Sequence, residues 1–248
     1  MKSTGSSPFL SALLPVLTRA FESQTELLDQ CAQKMADTIQ KDHLVYVFGA
    51  GHAGIISEEM CYRAGGLVPV VPIFAPGLTV NTRPATLETD LERMPGYAKL
   101  ILQACKITKD DILIVHSNSG RNTVAIEMAE EARKMGAFVI ALTSKSHSNS
   151  VSSRHPKGYK LMDVADLVVD NCGVPGDAIC EIPGVDARVA STSTVVGAAL
   201  MNELIVETAS ILKSRGFEPP VFRSANIDNS AESNQRWMDH YGSRLLYL

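Results

Sequence analysis

The densest group of hydrogen-bonding side chains in the sequence is Ser117-Asn118-Ser119-Gly120-Arg121-Asn122-Thr123. It follows the apolar run Ile112-Leu113-Ile114-Val115-His116, and a helical pattern begins at once after it. Hydroxyls, amides and the free N–H groups of a helix start converge in such a loop. Together they can hold a phosphate monoester without a large basic cluster. An ordinary helix cap needs one Ser or Asn, whereas four stand here in seven positions with a glycine at the bend. The phosphate-binding candidates are Ser117, Asn118, Ser119, Gly120, Asn122 and Thr123.

A second turn, Gly49-Ala50-Gly51-His52-Ala53-Gly54, has the GxGxxG spacing of a dinucleotide site. Such a site also wants an acid at the end of the next strand to hold the ribose hydroxyls. That strand end reads Val70-Val71-Pro72-Ile73-Phe74-Ala75, and the only acids between Gly54 and Glu88 are Glu58 and Glu59, on the intervening helix. The dinucleotide reading fails on this context. The glycines, Gly51 above all, keep a simpler use: they let the backbone approach a ligand closely.

The elements that must position these turns follow from periodicity. Apolar residues at helical spacing over 8–40 predict one long or broken amphipathic helix. Strands are expected at Leu44–Phe48, Leu67–Phe74, Ile112–His116, Phe138–Leu142 and Leu167–Asp170. The second of these carries Pro69 and Pro72, which suit an edge. Helices are expected at Ile55–Gly65, Tyr97–Lys106, Asn122–Met135 and Thr194–Arg215, and residues 75–98 read as a long polar loop. Strands alternating with helices predict an α/β fold, a parallel sheet covered on both faces, with ligands outside the strand carboxyl ends. The organisation expected is a helical arm at 1–40, the α/β domain at 41–216 and a docking tail at 217–248, whose apolar residues are Phe222, Trp237, Tyr241, Leu245, Leu246 and Tyr247.

Composition narrows the partners. The chain has 248 residues, 45% hydrophobic and 20% charged, with a formal net charge of -4. No basic excess exists to neutralise a nucleic-acid backbone. Five cysteines, an odd number with no CxxC, fit reduced thiols and give no zinc spacing. No signal-peptide core and no stretch long enough to cross a bilayer is evident, so a cytoplasmic protein is expected.

The serine loop together with Val139-Ile140-Ala141-Leu142-Thr143-Ser144 resembles the phosphosugar-binding core of the SIS (sugar isomerase) family, over residues 40–215. The turn Gly49-Ala50-Gly51 is similar to that family's first turn. Glu58-Glu59 with Tyr62-Arg63-Ala64-Gly65-Gly66-Leu67 resembles a single-domain subgroup associated with amino-sugar phosphate metabolism, including dehydration of N-acetylglucosamine 6-phosphate. The resemblance implies a three-layer α/β/α fold with a five-stranded parallel sheet, a homodimer with sites completed across the interface, and no metal or redox cofactor.

Proton abstraction beside a carbonyl needs a base, and an acid for the oxygen that is protonated or lost. In the related phosphoheptose isomerases and N-acetylmuramic acid 6-phosphate etherases a Glu stands about twelve residues after the last glycine of the first turn's GxG. The same count from Gly51 lands on Arg63, a departure from the pattern. Glu59 lies one turn earlier on the same helix face and is the base expected here, with Glu58 second. Arg63 can pair with Glu59 or bind substrate oxygen. His52, in the first turn, is the expected proton carrier, whereas His116 reads as a packed strand-end residue and Asp177 as a turn residue. Ser191, Thr192 and Ser193 open the last long helix, as a cap or as sugar-phosphate ligands. The enzyme expected is a sugar-phosphate lyase acting on N-acetylglucosamine 6-phosphate, or an aldose–ketose isomerase. The rival from another class is a non-catalytic phosphosugar sensor.

Overall fold

The computed structural model describes residues 7–228 and 230–245. In chain order the helices and strands are α1 (Pro8–Glu22), α2 (Thr25–Gln40), β1 (Val45–Gly49), α3 (Ile55–Met60), β2 (Val70–Ile73), α4 (Ala85–Leu91), α5 (Tyr97–Cys105), β3 (Ile112–His116), α6 (Thr123–Lys134), β4 (Phe138–Thr143), α7 (Lys145–Asn149), α8 (Leu161–Val164), β5 (Leu167–Asp170), β6 (Ala178–Cys180), β7 (Val189–Ser191), α9 (Ser193–Ser214) and α10 (Ser230–Tyr241). Five strands form one parallel sheet in the order β2-β1-β3-β4-β5. Strands β6 and β7 pair as a separate antiparallel hairpin.

The apolar runs become strands buried on both faces, and their alternation divides the core in two. Tyr46, Phe48, Leu113, Val115, Val139 and Ala141 face one cluster, roofed by α5 and α6. Val45, Val47, Ile112, Ile114, Ile140 and Leu142 face the other, roofed by α2, α3 and α9 with α1 outside them. Three layers result, as the resemblance implies. The proline-bearing strand β2 is an edge strand, and Pro69 contributes its carbonyl to Val45 N–H at 3.0 Å.

Several elements differ from expectation. The arm is two helices, separated at Ser23-Gln24, where the Gln24 amide bonds the Ala20 and Asp170 carbonyls, both at 2.6 Å, and so ties the break to β5. Helix α3 ends at Met60, because Cys61 is extended and Tyr62 has a φ of 39°. The long loop contains α4, and the segment before α9 contains the β6–β7 hairpin, neither of which periodicity announced. The tail docks through Phe222, Tyr241 and Leu245, all buried. Leu246 and Tyr247 lie outside the described residues. No bilayer-length stretch was expected, yet α9 is 22 residues long and apolar enough to cross a membrane by length and composition. Its buried face, including Val196, Leu200, Met201 and Leu204, is packed into the core beneath the sheet.

Leu204→Ala, truncating a fully buried side chain of α9, is expected to destabilise the protein by about 2–5 kcal/mol, read as a lower urea midpoint.

Candidate functional site

Strand order reverses between β1 and β3, so the turns leaving these two strands face one crevice at the carboxyl ends of the sheet. On the β1 side, Gly51 adopts φ 55° and ψ -129°, a conformation open to glycine. Its N–H donates to the Leu78 carbonyl at 2.8 Å, which draws the segment after β2 across the turn. That segment continues into α4 and lays the Glu88 carboxyl directly on Gly51. A Cβ at Gly51 would stand 3.0 Å from Glu88 Oε1. The end of α4 is fixed by the Glu92 carbonyl, which accepts the Val124 N–H of α6 at 3.0 Å.

Glu88 is the group sequence reasoning missed. Its Oε1 is buried without a hydrogen-bond partner. Burial, and then repulsion from Glu92, raise its pKa to about 7, against a smaller opposing pull from Arg93. Burial also raises the pKa of Glu92, offset in part by Asn122, Arg93 and Arg154. A carboxyl that changes charge near neutrality, lying against a glycine turn at a ligand crevice, is suited to proton transfer.

On the β3 side the loop separates into fixed and free parts. Gly120, at φ 58°, makes the bend, and its N–H donates to the Ser117 carbonyl at 3.1 Å. Asn118 is held on both ends. Its side-chain oxygen accepts from Asn171 at 2.8 Å, and its carbonyl accepts the Ser144 N–H and the Thr143 hydroxyl. Asn122 accepts from Arg154 Nη1 at 2.7 Å, and the Thr123 hydroxyl donates to the Arg154 carbonyl at 3.3 Å. The half-buried hydroxyls of Ser117 and Ser119, by contrast, have no hydrogen-bond partner among the described residues. The loop's amides hold its shape, and two hydroxyls remain for a ligand.

The start of α9 is already served by a protein anion. Asp177 Oδ1 accepts the Thr192 and Ser193 N–H groups at 3.1 and 2.9 Å, and its other oxygen accepts the Ser193 hydroxyl at 2.5 Å. A carboxylate there satisfies the free amides and favours the helix dipole. Ser191, exposed at the end of β7, is the hydroxyl of the three outside this arrangement.

His116 is buried at the end of β3. Its Nδ1 lies 3.0 Å from the Ala53 carbonyl. Because a carbonyl only accepts, Nδ1 carries the proton and pins the glycine turn from beneath. Nε2 is buried without a partner, and burial lowers the pKa to about 4, with Ala53 and then Asp177 opposing.

A family model described as SIS domain matches residues 8–144, more than half of the chain. The chain belongs to the SIS-domain family. A UPF0309 protein of Shouchella clausii is 40% identical over 240 residues, covering 97% of this chain and 98% of that protein. A UPF0309 protein of Geobacillus kaustophilus is 42% identical over 221 residues, 89% and 88% of the two chains. Among solved structures, phosphoheptose isomerases of Francisella tularensis and Neisseria gonorrhoeae superpose with TM-scores of 0.51 and 0.50, at 18% and 17% identity. They cover 82% and 83% of this chain and 95% of their own lengths, and at that identity they speak to the fold.

Within this SIS domain the carboxylate expected as the base on α3 is engaged by its neighbours. Glu59 is ion-paired with Arg63 and accepts from Asn202 Nδ2 at 3.3 Å. Asn202 lies nine residues along α9 from Ser193, which a helical rise of about 1.5 Å per residue places well down the helix. Glu58 and His52 are exposed.

The buried His116 has a pH signature. Below pH 6.5 the unfolded chain binds a proton here that the folded protein refuses until about pH 4, so stability falls as pH drops through that window. His116→Asn is expected to lessen the loss, measured as the difference between urea midpoints at pH 7 and pH 5.

Proposed function

We propose that the crevice binds a phosphorylated sugar and moves a proton beside the sugar's carbonyl carbon. The observation that carries the phosphate assignment is the pair of uncommitted hydroxyls, Ser117 and Ser119, on a loop whose remaining polar side chains are held in place. Hydroxyl and amide donors at the start of α6 suit a monophosphate. Gly51 admits the Glu88 carboxyl close to the backbone where the sugar would meet it, and Ser191 is a further hydroxyl for the sugar.

Proton transfer is assigned to Glu88. With a pKa of about 7 its carboxyl is divided between both forms at neutral pH. The ionised form takes a proton from carbon, and the neutral form gives one to oxygen. Glu59, the base expected from the sequence, and Arg63 are given a positioning role on the α3–α9 face, with Glu58 and His52 outside the chemistry.

The leading reaction is dehydration of ring-opened N-acetylglucosamine 6-phosphate. The C2 proton goes to the carboxylate, the C2–C3 double bond forms, the C3–O bond breaks, and the departing hydroxyl takes a proton to leave as water. The second reading is aldose–ketose isomerisation of a hexose 6-phosphate, in which the carboxyl returns the C2 proton to C1. A single carboxyl titrating near neutrality favours it, because that route needs one group for both transfers.

A homodimer is part of the proposal. Leu10 and Leu14 of α1, Val206 of α9 and Ile182 and Val185 of the hairpin are exposed apolar side chains of the kind an obligate interface covers.

Incubation with N-acetylglucosamine 6-phosphate tests the reaction by product mass. Loss of one water is expected, and a new sugar phosphate of unchanged mass would replace dehydration by isomerisation. Glu88→Gln is expected to cost at least about a hundredfold in kcat, and Glu59→Gln less than about tenfold. The reverse order would return the chemistry to α3. In sedimentation analysis Val206→Glu is expected to shift the protein from dimer to monomer.

A further inference from the structure

Six of the twelve arginines are paired with carboxylates: Arg63, Arg133, Arg188, Arg215, Arg236 and Arg244. Arg93, Arg121 and Arg154 are in no ion pair among the described residues, and they converge beside the serine loop. Arg154 reaches Asn122 Oδ1 at 2.7 Å, and its main chain is bonded to both Arg121 and Thr123. Arg121 donates from Nη2 to Ser152 Oγ at 3.3 Å, while its Nε is buried without a partner. Arg93 follows Glu92, whose carbonyl sits on the first turn of α6.

Like charges gathered in this way repel, and the cost persists unless an anion neutralises them. Burial, Arg121 and Arg93 in that order lower the pKa of Arg154, and Glu92 opposes. Of the acids facing the group, Glu92 offsets part of the charge on Arg154, burial raises the pKa of Glu88 to about 7, and Asp177 is committed to α9. His147, on the far side of Arg121, accepts the Gly176 N–H at Nδ1 and is held toward its neutral form, first by burial.

We propose that Arg93, Arg121 and Arg154 form a second anion subsite, so that the crevice binds a phosphosugar carrying a further anionic group, a carboxylate or a second phosphate, more tightly than a singly phosphorylated sugar such as N-acetylglucosamine 6-phosphate, which leaves this subsite unfilled. This rests on the serine loop as the site of the first phosphate. Guanidinium forks match both anions with paired hydrogen bonds, and three of them exceed what a single monoester held by hydroxyls requires.

Calorimetric titration of the full-length protein tests it with glucose 6-phosphate, glucose 1,6-bisphosphate and 6-phosphogluconate. The wild type is expected to bind at least one of the two doubly anionic compounds about tenfold or more tightly than glucose 6-phosphate. A preference for the bisphosphate identifies the second group as phosphate, and a preference for phosphogluconate identifies it as carboxylate. Arg121→Gln and Arg121→Ala are expected to remove that gain and leave glucose 6-phosphate binding within about twofold. Equal affinity for all three compounds in the wild type overturns the subsite. So does an equal loss for all three in the variants, which would place the first phosphate on the arginines. Ser119→Ala checks the underlying reading separately: unchanged glucose 6-phosphate binding there would remove the serine loop, whatever the arginines do.

Discussion

The hydrogen bond from Gly51 N–H to the Leu78 carbonyl ties together two segments that leave neighbouring parallel strands. A parallel sheet sends all its strand ends the same way, and both faces of this one are buried, so polar chemistry is confined to that edge. The Gly51 bond decides which side chains arrive there. It turns the chain after β2 back over the glycine turn, and the Glu92 carbonyl then fastens the far end of α4 to α6. Between the two anchors Glu88 has little choice of position. Any side chain at residue 51 would displace it, both because a Cβ would meet its carboxyl and because the backbone there lies at positive φ.

The same logic explains how much could be read in the sequence. Strands β1, β3 and β4 are continuous apolar runs between polar breaks, and strands buried on both faces leave that signature directly. The serine loop was legible because a cluster of hydroxyls and amides after a strand exceeds what a cap needs. Glu88 was not. It sits in a segment interrupted by Pro76, Gly77, Pro84, Pro95 and Gly96, where local patterning reads as loop, and its importance comes from contacts with residues far away in the chain. Glu59 is favoured in the sequence because it lies one turn before Arg63, where related families carry their Glu. The positive φ at Tyr62 ends α3 early, and Arg63 and Asn202 hold the Glu59 carboxylate on the outer face. The hairpin β6–β7 has three-residue strands around an exposed loop, too short for an alternation to register.

Two helix starts at this edge of the sheet are treated differently. At α9 the protein supplies its own anion, Asp177, and the helix start becomes a structural joint. At the serine loop the Ser117 and Ser119 hydroxyls have no partner among the described residues, while Asn118, Asn122 and Thr123 are bonded by their neighbours. A chain with a net charge of -4 has no global field to draw in an anionic ligand. Positive charge does stand locally beside the serine loop, on Arg121 and Arg154, and physiological salt limits its reach to about 8 Å.

Burial of Glu88 ties stability, electrostatics and chemistry together. Desolvation first, and then repulsion from Glu92, raise the Glu88 pKa to about 7, so the carboxyl laid against the Gly51 turn changes charge near neutrality. Arg93 pulls the other way, more weakly. The pKa near 7 is thus set first by burial and then by two charged neighbours on the same stretch of chain, Glu92 and Arg93, and the fold fixes that arrangement by pinning both ends of α4.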